Sequence, residues 1–483
     1  MKYFLNIRIL IFLLIGINAM GWSTSDTSIT KTAFEQDLAI LQQSLVANHS
    51  GVFQYIGSEN LNKQFTLALD TMPDNISDVD AFLAISRLIA VINCDHTSAE
   101  APPHIITAIH KQNILPFEFK FIGKRMYVLK NYADTSLKIG TEILSIEGES
   151  IAEIVDKIFP TIPSDGFITT SKYRTIERYL LFNVMYTLLR GNKSSYKIEY
   201  KSVNNNISKV ITIKGKRLTT MRSLFKEQVN KEPIPFKIII DKLMQTATIT
   251  ITTFDQASYK EHKQNFKKLL KKSFTAINQD SIAHLIIDIR NNGGGEADYG
   301  AHLYSYLTNK NFKFYEQLSL NTTTIENRDY IDFGLLKLLW VKLLTKRDKS
   351  SGRYIVKGNT LKNNKPAKNN FSGKVYVLIN GLSYSASSEF CTIANDNKRA
   401  TFIGEEGGGA YQGNTSGFSF TLTLPNSGVQ IDIPVIHYQM AISNKYKIGR
   451  GLIPDYEVIP TIKELISGED SELEKAKQLI KEH

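Results

Sequence analysis

Leu285-Ile-Ile-Asp-Ile-Arg-Asn-Asn-Gly-Gly-Gly295 and Val375-Tyr-Val-Leu-Ile-Asn-Gly-Leu-Ser-Tyr-Ser385 decide the fold. Each opens with five residues that are almost wholly apolar, as in a strand covered on both faces. Each then breaks into a turn rich in Gly or Ser and runs on into a helical pattern. Strand, turn and helix repeated in this way are the units of an α/β fold with a mainly parallel sheet. Ala247-Thr-Ile-Thr-Ile reads as a further strand, and Tyr259 to Ile277 as one basic helix.

Working outward, residues 25–103 read as a helical region. Phe34, Leu38, Leu41 and Leu45 recur at helical spacing. A second helix is expected from Val79 to Ile92, with Ser77 and Asp80 as a capping box at its start. It ends in the polar break Asn93-Cys-Asp-His-Thr97. Residues 104–215 change to short alternating strands, such as Pro116-Phe-Glu-Phe-Lys-Phe and Met126-Tyr-Val-Leu. Residues 216–483 form the α/β core, interrupted at about 330–370. There Leu336, Leu339, Trp340, Leu343 and Leu344 make one apolar stripe, read as a packed helix, a lid or a membrane-surface contact. Residues 346–370 read as a loose loop.

Two turns carry chemistry. A serine between a buried strand and a helix is exposed at the sheet's end, where the free N–H groups of the first helical turn favour developing negative charge. That makes a nucleophile with half an oxyanion hole, or simply an N-cap serine. Four serines crowd Ser383 to Ser388, so position alone does not choose among them. The triplet Gly293–Gly295 allows unusual backbone angles and supplies N–H groups for an anion, or is a flexible turn. Neither GxGxxG nor GxxxxGK[ST] is present, so no nucleotide loop is expected.

Together the motifs resemble the tail-specific, C-terminal-processing and tricorn-type serine proteases. The resemblance is carried by Cys94-Asp-His-Thr, by Leu137-Lys-Ile-Gly-Thr-Glu-Ile-Leu-Ser-Ile-Glu-Gly, which is similar to part of a PDZ domain, and by the two turns. Asp396-Asn-Lys-Arg-Ala-Thr-Phe-Ile-Gly-Glu-Glu and Gly451-Leu-Ile-Pro-Asp-Tyr-Glu-Val complete it. It implies a crotonase-like α/β core with a PDZ-like module, and a serine-type endopeptidase with Ser385 as nucleophile. Ala386 and Gly294 would then be the oxyanion donors. The same fold also occurs in retinoid-binding relatives, so a catalytically inactive peptide- or lipid-binding protein is the rival expectation.

The base departs from the lysine-dependent branch of that family. Where its catalytic Lys stands in a Gly-Lys-Gly turn, this chain has Gly407-Gly-Gly-Ala-Tyr-Gln-Gly, and no Lys or Arg occurs from Ala400 to Asn444. The resemblance to the tricorn-type branch puts the base at His96, with His437 in reserve. Imidazole suits general-base work near neutral pH. Tricorn-like members place a carboxylate shortly before the final Gly-x-x-Pro-Asp, and Tyr446 to Arg450 contain none. Asp455, Glu405 and Asp95 remain the candidate orienting groups.

The bulk properties set outer bounds. At 483 residues, several domains are expected. A net charge of +11 is spread along the chain, which favours a basic surface over a nucleic-acid site. The two cysteines exclude a disulfide scaffold, and no zinc spacing occurs. Cys94 and Cys391 are expected as reduced, buried thiols. No metal or cofactor is called for, and the partner would be a peptide or protein. Lys2, Arg8, the apolar run Ile9–Ile17 and the small residues Ala19 and Gly21 read as a signal peptide over 1–21, with a retained anchor as the alternative. The mature chain would be periplasmic or secreted, with no membrane span.

Overall fold

The computed structural model describes residues 28–133, 135, 137–202, 207–228, 233–332, 341–358, 361–443 and 446–482. The signal segment and the stripe residues Leu336, Leu339 and Trp340 lie outside them. Among the described residues no helix is long and apolar enough to cross a membrane.

The N-terminal region is helical, with α1 (Lys31–Asn48), α2 (Ser58–Asp70) and α3 (Asp78–Ala90). Ser77 caps α3, its hydroxyl accepting from Asp80 N and donating to the Asp80 carboxylate. An antiparallel sheet follows, made of β1 (Phe117–Ile122), β2 (Arg125–Asn131), β3 (Glu142–Ile146), β4 (Ser195–Lys201) and β5 (Ser208–Lys214), in the spatial order β5-β4-β3-β2-β1. Strand β1 alternates buried and half-buried residues, with Phe117, Phe119 and Phe121 inward, as its period-two pattern dictates. Three helices are threaded between β3 and β4, Ile151–Ile158, Thr169–Glu177 and Leu181–Arg190. The strand-centred reading of this stretch did not anticipate them.

Strands of the second half include, in chain order, β6 (Phe236–Asp241), β7 (Thr246–Ile251), β8 (His284–Asp288), β9 (Lys374–Ile379), β10 (Thr401–Gly404), β11 (Gly413–Thr423), β12 (Gln430–Met440) and β13 (Tyr456–Glu457). One sheet has the order β6-β7-β8-β9-β10-β13, parallel throughout except for the antiparallel edge pair β6-β7. The helices on it are α4 (Phe266–Gln279), α5 (Ala297–Ser305), α6 (Ala386–Asp396) and α7 (Ser471–Lys481). Both faces are covered. Leu285, Ile287, Val375 and Val377 pack in one core with residues of α4, α5 and α6. Ile286, Tyr376, Leu378 and Ile403 pack on the opposite face against Ala476, Leu479 and Ile480 of α7. This is the α/β arrangement the apolar runs imply. Arg290 holds α7 in place, pairing with Asp288, Asp470 and Glu472.

Two expectations are corrected. The single helix over Tyr259–Ile277 is two, Gln256–Glu261 and α4. The chain turns at Lys263 with φ +54°, and Asn265 caps α4 by accepting from Lys268 N. The loose loop over 346–370 contains paired strands, Thr345–Arg347 and Tyr354–Val356. The Asp348 carboxylate stitches their turn by accepting from both Ser350 and Ser351, and Arg353 donates to Ser50 O. These strands extend a sheet built on the long β11-β12 hairpin.

Candidate active site

Strand β9 ends at Ile379, and Asn380–Tyr384 turn the chain into α6, whose N-cap is Ser385. Ser385 has φ +53° and ψ −128°, a backbone conformation that L-residues rarely adopt. Such strain is stored where the surroundings over-determine it, and a serine on a strained strand-to-helix turn presents its hydroxyl at the sheet's end. The surroundings here are the loop after β8. Ser383 Oγ donates to Ile289 O, Tyr384 N to Asn292 O and Ser387 Oγ to Asn292 O. Asn292 is wholly buried, and its side-chain amide donates to Ile251 O on β7. Three neighbouring strand ends are thereby tied into one rigid edge.

The glycine triplet lies against this turn. A Cβ on Gly294 would stand 2.6 Å from Ser385 Cβ and 3.0 Å from Ala386 N, and its φ of +92° also favours glycine. The Ala386 N–H, at the first position of α6, meets no acceptor among the described residues. The Gly294 N–H donates to Asn292 Oδ1 at 3.0 Å in this resting arrangement. The Gly293 amide has no acceptor among the described residues, and a Cβ there would meet nothing within 4 Å.

His96 reaches Ser385 from the N-terminal half, with Nε2 3.3 Å from Ser385 Oγ. It sits in the turn after α3, where Asn93 takes φ +56°. Strand Ser98–Glu100, pairing antiparallel with β12, fixes one side of that turn. Asp95 N donates to Asp165 Oδ1, and Gly166 N to Asn93 O. Cys94 Sγ donates to Thr415 O, and the His49 ring bonds Thr97 Oγ1. The other ring nitrogen of His96, Nδ1, lies 2.7 Å from the Tyr384 phenol, and the two rings stack with centroids 4.8 Å apart. Burial, aided by nearby His49, lowers the His96 pKa to about 3, so the ring is neutral near pH 7. Burial and the neighbouring Asp165 push Asp95 up to about 8, and burial pushes Asp165 up to about 7.

The other candidates stand elsewhere. Asp455 accepts from Phe402 N on β10. Glu405 accepts from Gly381 N and pairs with Arg174. His437, on β12, bonds Thr415 Oγ1. Asp95 alone of the three carboxylates adjoins His96. Cys94, His96 and Asp165 offer ligand atoms within 4.8 Å of one another, the one such group of three among the described residues. Cys94 is a buried thiol whose pKa burial raises to about 12, which disfavours the thiolate a metal would need. Both cysteines are free and buried, in separate cores, in keeping with two reduced thiols.

Residues 245–458 match the family model described as Peptidase family S41. That segment, 214 of the 483 residues, is similar to peptidase family S41. Among solved structures, mature CPAF complexed with lactacystin superposes with a TM-score of 0.63 at 15% identity, over 93% of this chain and 98% of that one. A second structure of mature CPAF gives 0.61 at 15%, over 93% and 97%. At this identity the likeness shows the fold, and it extends well beyond the S41 segment. A search of curated proteins finds no match. Ser385, Ala386, Gly294, Glu405 and Asp455 lie inside the S41 segment. His96 and Asp95 lie more than a hundred residues before it.

Asp165, Tyr384 and His49 escaped the sequence reading. Tyr384 adjoins Ser385 in the quoted motif, so its position was a signal. Asp165, in Ser164-Asp-Gly166, offered none beyond an ordinary turn.

Proposed function

We propose that this chain is an exported serine-type endopeptidase with Ser385 as nucleophile and His96 as general base. The observation that carries the reading is the strained Ser385 at the head of α6 with its Oγ 3.3 Å from His96 Nε2. In the first step Ser385 Oγ attacks the scissile carbonyl carbon and its proton passes to His96 Nε2. The carbonyl oxygen gains the negative charge. The Ala386 N–H and an amide of the glycine loop receive it, Gly294 if it leaves Asn292, or the unpaired Gly293. The C–N bond then breaks, His96 returns the proton to the leaving amine, and an ester on Ser385 remains. Water, deprotonated by His96, hydrolyses it. The strands and helices of 104–215 would serve as a PDZ-like module, which binds chain ends by strand addition. The leading segment would direct export.

A serine-reactive phosphonate tests the reading directly. Mass is expected on Ser385, and neither label nor peptide hydrolysis in Ser385→Ala. His96→Ala should lower kcat by several orders of magnitude. An unlabelled, inactive wild-type protein would favour the rival binding role, and label on Ser387 would show the register to be wrong.

A further inference from the structure

The arrangement leaves the usual place of an orienting carboxylate to a phenol. We propose that Tyr384 is the positioning residue of His96, its oxygen accepting from His96 Nδ1–H while its own proton goes to the Asp95 carboxylate. This rests on the peptidase reading above.

Neutral imidazole carries one ring proton. With that proton on Nδ1, the Nε2 lone pair faces Ser385 Oγ and accepts the serine's proton. With it on Nε2, the serine meets an N–H and has no base. The 2.7 Å contact from Tyr384 to Nδ1 therefore decides the competent tautomer, and its sense depends on where the phenol sends its own hydrogen. An acceptor is at hand, because the Asp95 carboxyl lies close enough to Tyr384 to act on it electrostatically. The chain Ser385–His96–Tyr384–Asp95 then runs in one direction. Each oxygen or nitrogen donates to the next, and it ends on a carboxylate. The stacked rings hold the imidazole plane, which a water in the same place would not do.

The polarity of this chain follows the charge on Asp95. Ionised Asp95 only accepts, so the phenol proton points to it. Protonated Asp95 can donate to the phenol oxygen, which turns the phenol hydrogen toward Nδ1 and gives the incompetent tautomer. The groups facing this cluster are Asp165, through Asp95 N–H, and Lys172, with Cys94 and His49 close by. Lys172 favours the ionised form of Asp95, and Asp165 opposes it. Burial holds Asp95 near a midpoint of about 8.

The test compares wild type with Tyr384→Phe and Asp95→Asn. Tyr384→Phe keeps the ring stack and should lower kcat on the order of 100-fold, the lower end of what a general base supplies, with KM within about twofold. The wild-type rise in kcat toward pH 8 should vanish in both variants. Nitrogen-15 shifts of labelled histidine give a second readout, with His96 assigned by its loss in His96→Ala. Above pH 8, with Asp95 ionised, wild type should show the Nδ1–H tautomer, and Tyr384→Phe should shift it toward Nε2–H. Wild-type kcat and an unchanged tautomer in Tyr384→Phe, in a preparation where Ser385→Ala is dead, would overturn the proposal and leave the peptidase reading standing. An Nε2–H tautomer in the wild type above pH 8 would overturn it whatever the activity. If Tyr384→Phe does not fold, Asp95→Asn carries the same two readouts.

Discussion

The proposed nucleophile and the proposed base of this site are built in opposite ways. Ser385 is presented by a strand, a five-residue turn and a helix that are contiguous in the chain, and its backing loop belongs to the neighbouring strand of the same sheet. His96 stands in a turn whose partners come from residues 49, 165, 384 and 415. The first half is a local motif within the segment that matches the S41 model. The second is a meeting of segments folded into separate cores. A strained local turn needs tight backbone packing, whereas a pocket assembled at long range needs its buried polar groups satisfied. Damage to the two halves should therefore look different.

The largest effect is expected where backbone meets backbone. Gly294→Ala puts a methyl 2.6 Å from Ser385 Cβ and 2.9 Å from Tyr384 O, at a φ of +92° that alanine resists. Neither neighbour is the free end of a flexible side chain. Hydrolysis should fall at least about 100-fold, as expected when an oxyanion-hole donor or its geometry is lost. Stability should fall by about 2–3 kcal/mol. Turnover on a peptide and thermal unfolding measure the two losses. A Gly294→Ala protein with wild-type turnover would mean that the loop yields, and that the nucleophile side is not rigid.

The base side should reveal itself through pH. His49 is fully buried, with Nδ1 accepting from Gly51 N and Nε2 bonded to Thr97. Burial lowers its pKa from 6.5 to about 3. The unfolded chain takes up a proton as pH falls below 6.5, and the folded chain does not until about pH 3. The stability His49 contributes is therefore fully present above pH 6.5 and is lost as pH falls, by about 2 kcal/mol at pH 5. Asp95 and Asp165 act with the opposite sign. Their folded pKa values are raised to about 8 and about 7, so they favour the folded state at low pH and weaken it as pH rises from about 4 toward those values. Only a difference isolates the histidine. His49→Gln, whose amide can still donate to Thr97, should lose about 2 kcal/mol less than wild type between pH 7 and pH 5. Parallel denaturation curves would show that His49 is not held neutral.

How far the sequence could be read follows the same division. The β8 and β9 runs are apolar on both faces because helices cover both faces, and such a run needs no distant partner to be recognised. The junction offered four serines, and the family motif made Ser385 the candidate among them. His96 was legible only as a member of an ordered motif set, since its partner lies 289 residues away. The contacts of Asp165 and Tyr384 with that turn were not. Their bonds to the Asp95–His96 turn span 70 and 288 residues, and no local period encodes them. The β11-β12 hairpin did carry a readable signal, the alternation in Phe418-Ser-Phe-Thr-Leu-Thr-Leu, which the α/β pattern of the flanking segments overshadowed.

The smallest expected effect bears on whether the nucleophile's strain is real. Ser385→Gly and Ser385→Ala both remove the hydroxyl, so both should be inactive, and any difference between them belongs to the backbone. At φ +53° and ψ −128° an L-residue pays a conformational penalty of about 1–3 kcal/mol that glycine escapes. Glycine gives part of this back, because its unfolded chain is freer by about 0.5–1 kcal/mol. The remainder is about 1 kcal/mol in favour of Ser385→Gly. Ser385 is only 5% exposed, so loss of a methyl's packing also counts against glycine, and the predicted gain is a net value. Urea denaturation at fixed pH measures it through the midpoint, provided the slope is the same for the two variants. Ser385→Gly more stable than Ser385→Ala locates strain at the nucleophile, held by the Asn292 and Gly294 loop. Ser385→Ala as stable or more so would mean that the turn adopts this conformation without cost, and the contrast between a strained nucleophile and an assembled base would lose its first half.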